Sequence, residues 1–86
     1  MMGRHVTIYP IRVYCAKCNQ LLYRYDKEGP GMLVKCFLDR ITEDRTSSKL
    51  TCPKCGQAFA RRVLIRGRPA NKIIGGKAYK QGRCGD

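Results

Sequence analysis

The sequence predicts a single small β-rich domain, and three observations support this fold class. Short segments rich in β-branched and aromatic residues alternate with turns that contain Gly and Pro, and no segment has the pattern of an amphipathic helix. The chain has 86 residues, and a chain of this size buries only about 60–65% of its unfolded surface, so a cross-link is expected. Two Cys-x-x-Cys motifs offer the means to form one.

The two cysteine motifs predict a metal site. They are Cys15-Ala16-Lys17-Cys18 and Cys52-Pro53-Lys54-Cys55-Gly56. A tight turn within such a motif brings both sulfurs to one ion, and two motifs supply the four thiolates of a closed tetrahedral zinc site. We therefore predict a structural Zn²⁺ bound by Cys15, Cys18, Cys52 and Cys55, without which the chain is largely unfolded.

The residues around the cysteines favour tight turns. Pro53 fixes φ at the start of the second turn, and Gly56 permits the positive φ that a chain reversal under the metal requires. The first motif has Asn19 in the matching position, and Asn is the next residue type to tolerate this conformation. Lys17 and Lys54 lie inside the motifs, where they would offset part of the negative charge of a four-thiolate centre.

Over residues 11–60 the arrangement resembles the zinc-ribbon superfamily. That resemblance implies two metal-binding knuckles, each at the tip of a β-hairpin, and it is unspecific for function. Four cysteines in two knuckles also resemble the iron site of rubredoxin, which would imply an electron carrier. The strongly basic composition argues against iron, since rubredoxin-like carriers are usually acidic.

The first half also resembles the small Com-type zinc-finger regulators of phages, which bind RNA. The resemblance is carried by Ile11-Arg12 and by Cys15-x-x-Cys18-Asn19-x-Leu21-Leu22. It ends at Cys36, because the Com-type pattern has a further cysteine three residues later, where this chain has Asp39. The second motif of this chain also comes too late for that spacing.

The first two-thirds of the chain predict strands around the knuckles. Residues 6–14 are predicted to form a strand, and Pro10 implies that this strand lies at a sheet edge or is broken by a bulge. Residues 20–26 are predicted to form the return strand, with Tyr23 and Tyr25 in the core. A turn at 28–31 then leads to a strand at 32–38, which predicts a β-hairpin over about 20–38. The polar segment 39–48 fits either one helical turn or a loop. Cys36 is predicted to be a free, buried cysteine.

The last third predicts a second hairpin and a tail. Residues 57–66 and 70–74 form the strands of a hairpin over about 57–74, with its turn at Gly67-Arg68-Pro69. The domain therefore covers 1–76, and 77–86 is a flexible basic tail in which Cys84 is a free thiol.

The charge of the chain predicts a polyanionic partner. The formal net charge is +12, and nucleic acid is the usual partner of such a domain. The C-terminal third holds most of the excess, and a two-residue period puts Arg62, Arg66 and Arg68 on one face of the hairpin. Lys17, Lys27 and Lys35 are expected to contribute less. The predicted nucleic-acid contacts are Arg61, Arg62, Arg66, Arg68, Lys72 and Lys77.

Two functions fit these features. The first is a zinc protein that binds nucleic acid, RNA in preference to DNA, mainly through phosphates. The second is a structural zinc subunit of a large assembly, such as a ribosome or a polymerase, with the tail threaded along RNA or an acidic protein. We expect no enzyme and no small-molecule substrate, because His5 is the sole histidine and a four-cysteine zinc has no open position.

The sequence also gives an expectation about location. Residues 1–11 lack the apolar core of a signal peptide, and no stretch approaches the roughly 20 apolar residues of a membrane span. We therefore expect a reducing compartment, the cytoplasm or the interior of an organelle, and no membrane partner.

Overall fold

The computed structural model describes residues 8–29, 33–47 and 49–82, in which seven antiparallel strands form two sheets. A single 3₁₀ turn, Leu38–Arg40, lies between the third and fourth strands. The prediction of a small β-rich domain is confirmed. The strands are β1 (Ile8–Cys15), β2 (Leu21–Glu28), β3 (Lys35–Phe37), β4 (Ile41–Asp44), β5 (Ala60–Ile65), β6 (Arg68–Ile73) and β7 (Ala78–Gly82).

The four-stranded sheet has the order β4-β2-β1-β7. β1 is therefore an interior strand over Ile11–Cys15, and the prediction that it is an edge strand is wrong there. At Pro10, in the described part of the chain, only β2 lies beside it, as the prediction requires. β7 pairs only with Ile11–Cys15, so in the described part of the chain no ladder hydrogen bond is required of Pro10 on that side. The register irregularity of β1 lies between Val13 and Tyr14 instead of at the proline.

The predicted hairpin over residues 20–38 does not form. β2 pairs with β1 on one side and with β4 on the other, so it has no free edge for the strand that follows. After Gly29 the chain crosses to the second sheet, where β3 pairs with β6. Pro30, Gly31 and Met32, which belong to the predicted turn and strand, lie outside the described residues.

The polar segment 39–48 contains an edge strand that the sequence did not predict. Its first residues complete the 3₁₀ turn, and β4 then pairs with β2. Glu43 lies opposite Arg24, with 3.0 Å between the Arg24 Nε and Glu43 Oε1 atoms. A strand rich in charged residues is well suited to a sheet edge, because charge there discourages pairing with another chain.

The three-stranded sheet has the order β3-β6-β5 and contains the predicted C-terminal hairpin. Its turn is one residue earlier than predicted: Arg66 and Gly67 both have positive φ, 51° and 78°, as in the two-residue turns that suit the twist of a hairpin. Arg68 and Pro69 are consequently the first residues of β6.

The predicted flexible tail is ordered over part of its length. Residues 78–82 form β7, which pairs with β1 from Cys15↔Ala78 to Ile11↔Gly82. β7 has the sequence Ala-Tyr-Lys-Gln-Gly and is therefore mostly polar. It nevertheless extends a sheet whose core is supplied by other strands, so it does not need a long apolar run of its own. Residues 83–86, with Cys84, lie outside the described part.

The core lies between the two sheets. Tyr23 and Phe59 are fully buried and meet edge to face, with their ring centroids 5.6 Å apart. Tyr25 is also buried, so the prediction that Tyr23 and Tyr25 are core residues is confirmed. Cys36 of β3 is a free, fully buried thiol, again as predicted, and burial raises its pKa to about 12.

Candidate metal centre

The four predicted ligands come together at one end of the domain. The Sγ atoms of Cys15, Cys18, Cys52 and Cys55 all lie within 4.8 Å of one another. The first motif forms the turn between β1 and β2, and the second follows Thr51, which makes an isolated bridge to Ala58. Four thiols from two distant parts of the chain are therefore placed where one metal ion could bind them.

The distances between sulfurs suit a metal better than disulfides. The Sγ atoms are 3.6 Å apart for Cys15 and Cys55, and 3.5 Å apart for Cys18 and Cys52. A disulfide has its sulfurs about 2.05 Å apart, whereas a tetrahedral ion with bonds of about 2.3 Å holds them about 3.8 Å apart. All four thiols are free. The residues present thus fit a closed four-thiolate site.

The two motifs have the same backbone conformation. The Cys15 amide donates to the Gln20 carbonyl and the Cys52 amide to the Gln57 carbonyl, both over 2.9 Å. The residue after the second cysteine has positive φ in each motif, 64° at Asn19 and 79° at Gly56. The prediction that Asn19 takes the place of Gly56 is confirmed by this geometry. Each motif is thus a tight turn that directs two sulfurs to one point.

Backbone N–H groups around the sulfurs favour thiolates. Lys17 N lies 3.4 Å from Cys15 Sγ, and Lys54 N lies 3.4 Å from Cys52 Sγ. Burial raises the pKa of Cys52, but the N–H groups of Cys55 and Lys54 outweigh it and lower that pKa to about 7. Burial and the neighbouring thiols raise the pKa of Cys18 to about 12. Because a metal binds thiolates, its binding would release protons from this cluster.

Gln57 is a site residue that the sequence analysis missed. Its side-chain amide nitrogen lies 3.8 Å from Cys15 Sγ and donates to the Lys77 carbonyl over 3.4 Å. It therefore connects the second motif to the first and to the start of β7. A signal was present in the sequence, since both motifs continue with Gln, at Gln20 and Gln57.

The structure separates the basic residues that were predicted to share one face. Residues directly opposite each other in the β5–β6 register lie on the same face, and Arg62 is opposite Asn71 whereas Arg68 is opposite Ile65. Arg62 and Arg68 therefore lie on opposite faces, and Arg66 is in the turn. The predicted face of three arginines is wrong because the turn occupies Arg66 and Gly67, which changes the alternation.

The remaining predicted contacts have different surroundings. The Arg62 Nε donates to the Asn71 Oδ1 over 2.7 Å, and Arg68 forms an ion pair with Asp39 at 2.9 Å. Arg61 and Lys72 lie opposite each other on the outer face of the hairpin, and both are exposed. Lys77 is exposed in the turn before β7. His5, the sole histidine, lies outside the described residues.

Comparison with protein-family models, curated proteins and solved structures found no match for this chain. Within residues 8–29, 33–47 and 49–82, no helix has the length and apolar character needed to cross a membrane. The thiol cluster and the basic hairpin are therefore the features from which a function has to be inferred.

Proposed function

We propose that this chain is a zinc-ribbon protein that binds nucleic acid, RNA in preference to DNA, mainly through phosphates. One observation supports the choice of partner above all. The hairpin over residues 60–73 has five basic residues and no acidic one: Arg61, Arg62, Arg66, Arg68 and Lys72. In the described part of the chain, Arg68 alone among them has a carboxylate within ion-pair distance.

Both glutamates with ion pairs in the described part of the chain are engaged away from the hairpin. Glu43 contacts Arg24 and Arg45 in the four-stranded sheet, and Glu28 contacts Arg40 at 2.6 Å. Four of the five basic residues of the hairpin thus have no carboxylate within ion-pair distance in the described part of the chain: Arg61, Arg62, Arg66 and Lys72. A surface of this kind attracts phosphates over a distance, and binding gains free energy from the release of counterions.

Zinc is the metal we propose for the thiol cluster. A closed set of four cysteine thiolates is typical of structural zinc sites, and the observed sulfur separations fit that geometry. Iron in the same site would make an electron carrier, but the net charge of +12 suits a nucleic-acid partner better. Metal analysis of protein that has not been exposed to added metal separates the two, and iron would also colour the protein.

A free nucleic-acid binder is favoured over a subunit that threads its tail into an assembly. That alternative depended on a tail that does not fold by itself, and residues 78–82 instead form β7 within the domain. Native mass measurement on protein isolated from its own cells tests this choice. A monomer supports the free binder, and a stoichiometric complex with other subunits contradicts it.

The nucleic-acid proposal is tested by binding of labelled oligonucleotides to the metal-loaded chain. Fluorescence anisotropy with an RNA strand and a DNA strand of the same sequence should show binding to both, tighter to RNA and weakened by salt. Absence of binding to either strand at low salt would refute the proposal.

A further inference from the structure

The outer face of the three-stranded sheet has a row of three cations in register. Arg61 of β5 lies opposite Lys72 of β6, and Lys72 lies opposite Lys35 of β3. All three residues are exposed. Because the three residues are directly opposite one another, the row crosses the sheet at right angles to the strands. Neighbouring strands are about 4.7–4.9 Å apart. Sequence reasoning gave Lys35 little weight, because only strand pairing brings it beside Lys72.

This row is unusual in having no counter-charge. Like charges directly opposite in a sheet are destabilising, yet among the described residues no carboxylate forms an ion pair with Arg61, Lys72 or Lys35. The four-stranded sheet also has two facing arginines, Arg12 and Arg24, but there Glu43 on the next strand neutralises Arg24. The row on the three-stranded sheet lacks such a partner.

Apolar side chains lie next to the cation row on the same face. Val63, Ala70 and Phe37 form the adjacent row of the register, and Ile65 lies beyond Val63 on β5. Phe37, Val63 and Ile65 are partly exposed on this face, whereas Ala70 is fully buried. The opposite face of the sheet supplies Ala60, Cys36 and Ile73 to the core.

A depression of about 340 Å³ joins the two kinds of side chain. It is lined by Val34, Lys35, Val63, Ile65 and Lys72, and thus combines three apolar side chains with two cations of the row. Its volume is at the low end of the roughly 300–1,000 Å³ that is usual for small-ligand sites, which is sufficient for one base. Val34 is half exposed at its edge.

At the other end of this face the charge is already neutralised. The Arg68 guanidinium lies 4.0 Å from the centroid of the Phe37 ring and pairs with Asp39. The unpaired cations are therefore confined to the Arg61–Lys72–Lys35 end, beside the depression. A ligand that satisfies both has to present anionic groups, such as phosphates, to the cations and an apolar surface to Val63 and Ile65.

We propose that this face binds the backbone of a single-stranded nucleic acid, with phosphates on Arg61, Lys72 and Lys35 and a base in the adjacent depression. The inference rests on the proposed function and narrows it to one surface and one strand form. A duplex presents phosphates but keeps its base faces stacked, whereas a single strand offers both.

The test compares two variants that lose the same charge. The row variant carries Lys35→Gln, Arg61→Gln and Lys72→Gln, and the matched variant carries Arg12→Gln, Arg45→Gln and Lys49→Gln at other exposed positions. Binding to a labelled single-stranded RNA and to a duplex of the same sequence is measured over a range of salt concentrations. Metal content and thermal unfolding are measured for each variant, and a row variant with impaired folding is replaced by its three single changes.

We expect the row variant to lose about 100-fold in affinity for the single strand at about 0.1 M salt, and its log–log salt slope to become shallower by about 2. The matched variant should lose less than about threefold, and the wild type should prefer the single strand to the duplex. Equal losses in the two variants, or equal binding of duplex and single strand, would overturn the inference while the proposed function stands. Binding of both variants to polyglutamate is measured as well. If the row variant loses its binding to polyglutamate but keeps its binding to RNA, the occupant of this face is an acidic protein and the inference is overturned. No RNA binding by the wild type would remove the proposed function itself.

Discussion

The side-chain amide of Asn71 donates a hydrogen bond to the Tyr23 hydroxyl over 2.9 Å, and this bond connects the two sheets. Both residues are almost completely buried. Asn71 also accepts a hydrogen bond from the Arg62 Nε over 2.7 Å, so its amide is used as donor and as acceptor. Each partner therefore depends on the other to satisfy a polar group that water does not reach.

Replacing Tyr23 by Phe should destabilise the fold by about 1–3 kcal/mol, because the Asn71 amide then remains buried without its acceptor. Denaturant unfolding with saturating zinc measures this change. Tyr14→Phe is the matched control: the Tyr14 hydroxyl accepts a hydrogen bond from Arg12 in an exposed position, so little loss is expected. Equal effects of the two changes would show that the bond between the sheets contributes nothing specific.

Tyr23 also gives a prediction for alkaline pH. Burial, with the charge of Asp44, raises its pKa from 10.0 to about 12. The unfolded chain therefore releases this proton first as the pH rises. The contribution of Tyr23 to the free energy of unfolding is fully present below pH 10. It is lost between pH 10 and 12, which lowers that free energy by on the order of 2 kcal/mol. Over that interval the free energy of unfolding should fall more steeply for the wild type than for Tyr23→Phe. Parallel curves would contradict the raised pKa.

Replacing Cys52 by Ser should abolish stoichiometric metal binding and unfold the domain, because the site would lose one of four ligands. Elemental analysis and circular dichroism report the two effects. Cys36→Val is the internal control, since Cys36 lies in the core, outside the thiol cluster. It should retain about one metal ion per chain. Metal retained by Cys52→Ser but lost from Cys36→Val would refute the ligand assignment.

Gly56→Ala tests the positive φ of the second motif. No atom lies within 4 Å of the position of an added Cβ, so the cost arises from the φ of 79° alone and should be about 1–2 kcal/mol. Gly75→Ala has the same free space without a positive φ, and it should be neutral or slightly stabilising. Thermal unfolding of the two zinc-loaded variants measures the difference. Indistinguishable transitions would show that the motif tolerates the strain.

The two cysteine turns could be predicted from sequence because their determinants are local. The spacing of the cysteines, and Asn19 and Gly56 behind them, specify each turn without reference to the rest of the chain. The hairpin of β5 and β6 was predictable for the same reason, although its turn was displaced by one residue. Arg66 adopts a positive φ that its residue type does not suggest.

The parts that could not be predicted depend on pairing between distant strands. β3 was assigned to β2 on the basis of proximity in sequence, but both edges of β2 are occupied, and β3 pairs with β6. The pairing of β3 with β6 also brings Lys35 next to Lys72. β7 has little apolar sequence and is ordered by its place beside β1. Charge composition identified the basic region, whereas the row formed by Arg61, Lys72 and Lys35 depends on register.

The most direct test of the proposed function is the salt dependence of RNA binding by the unmodified, zinc-loaded chain. The equilibrium constant for a single-stranded oligonucleotide should be measured by fluorescence anisotropy at several salt concentrations. If about four to six basic residues contact phosphates, a plot of log K against log salt should be linear with a slope of roughly −3 to −5. A slope near zero, or no measurable binding at the lowest salt concentration, would contradict the claim that this basic domain recognises nucleic acid through its phosphates.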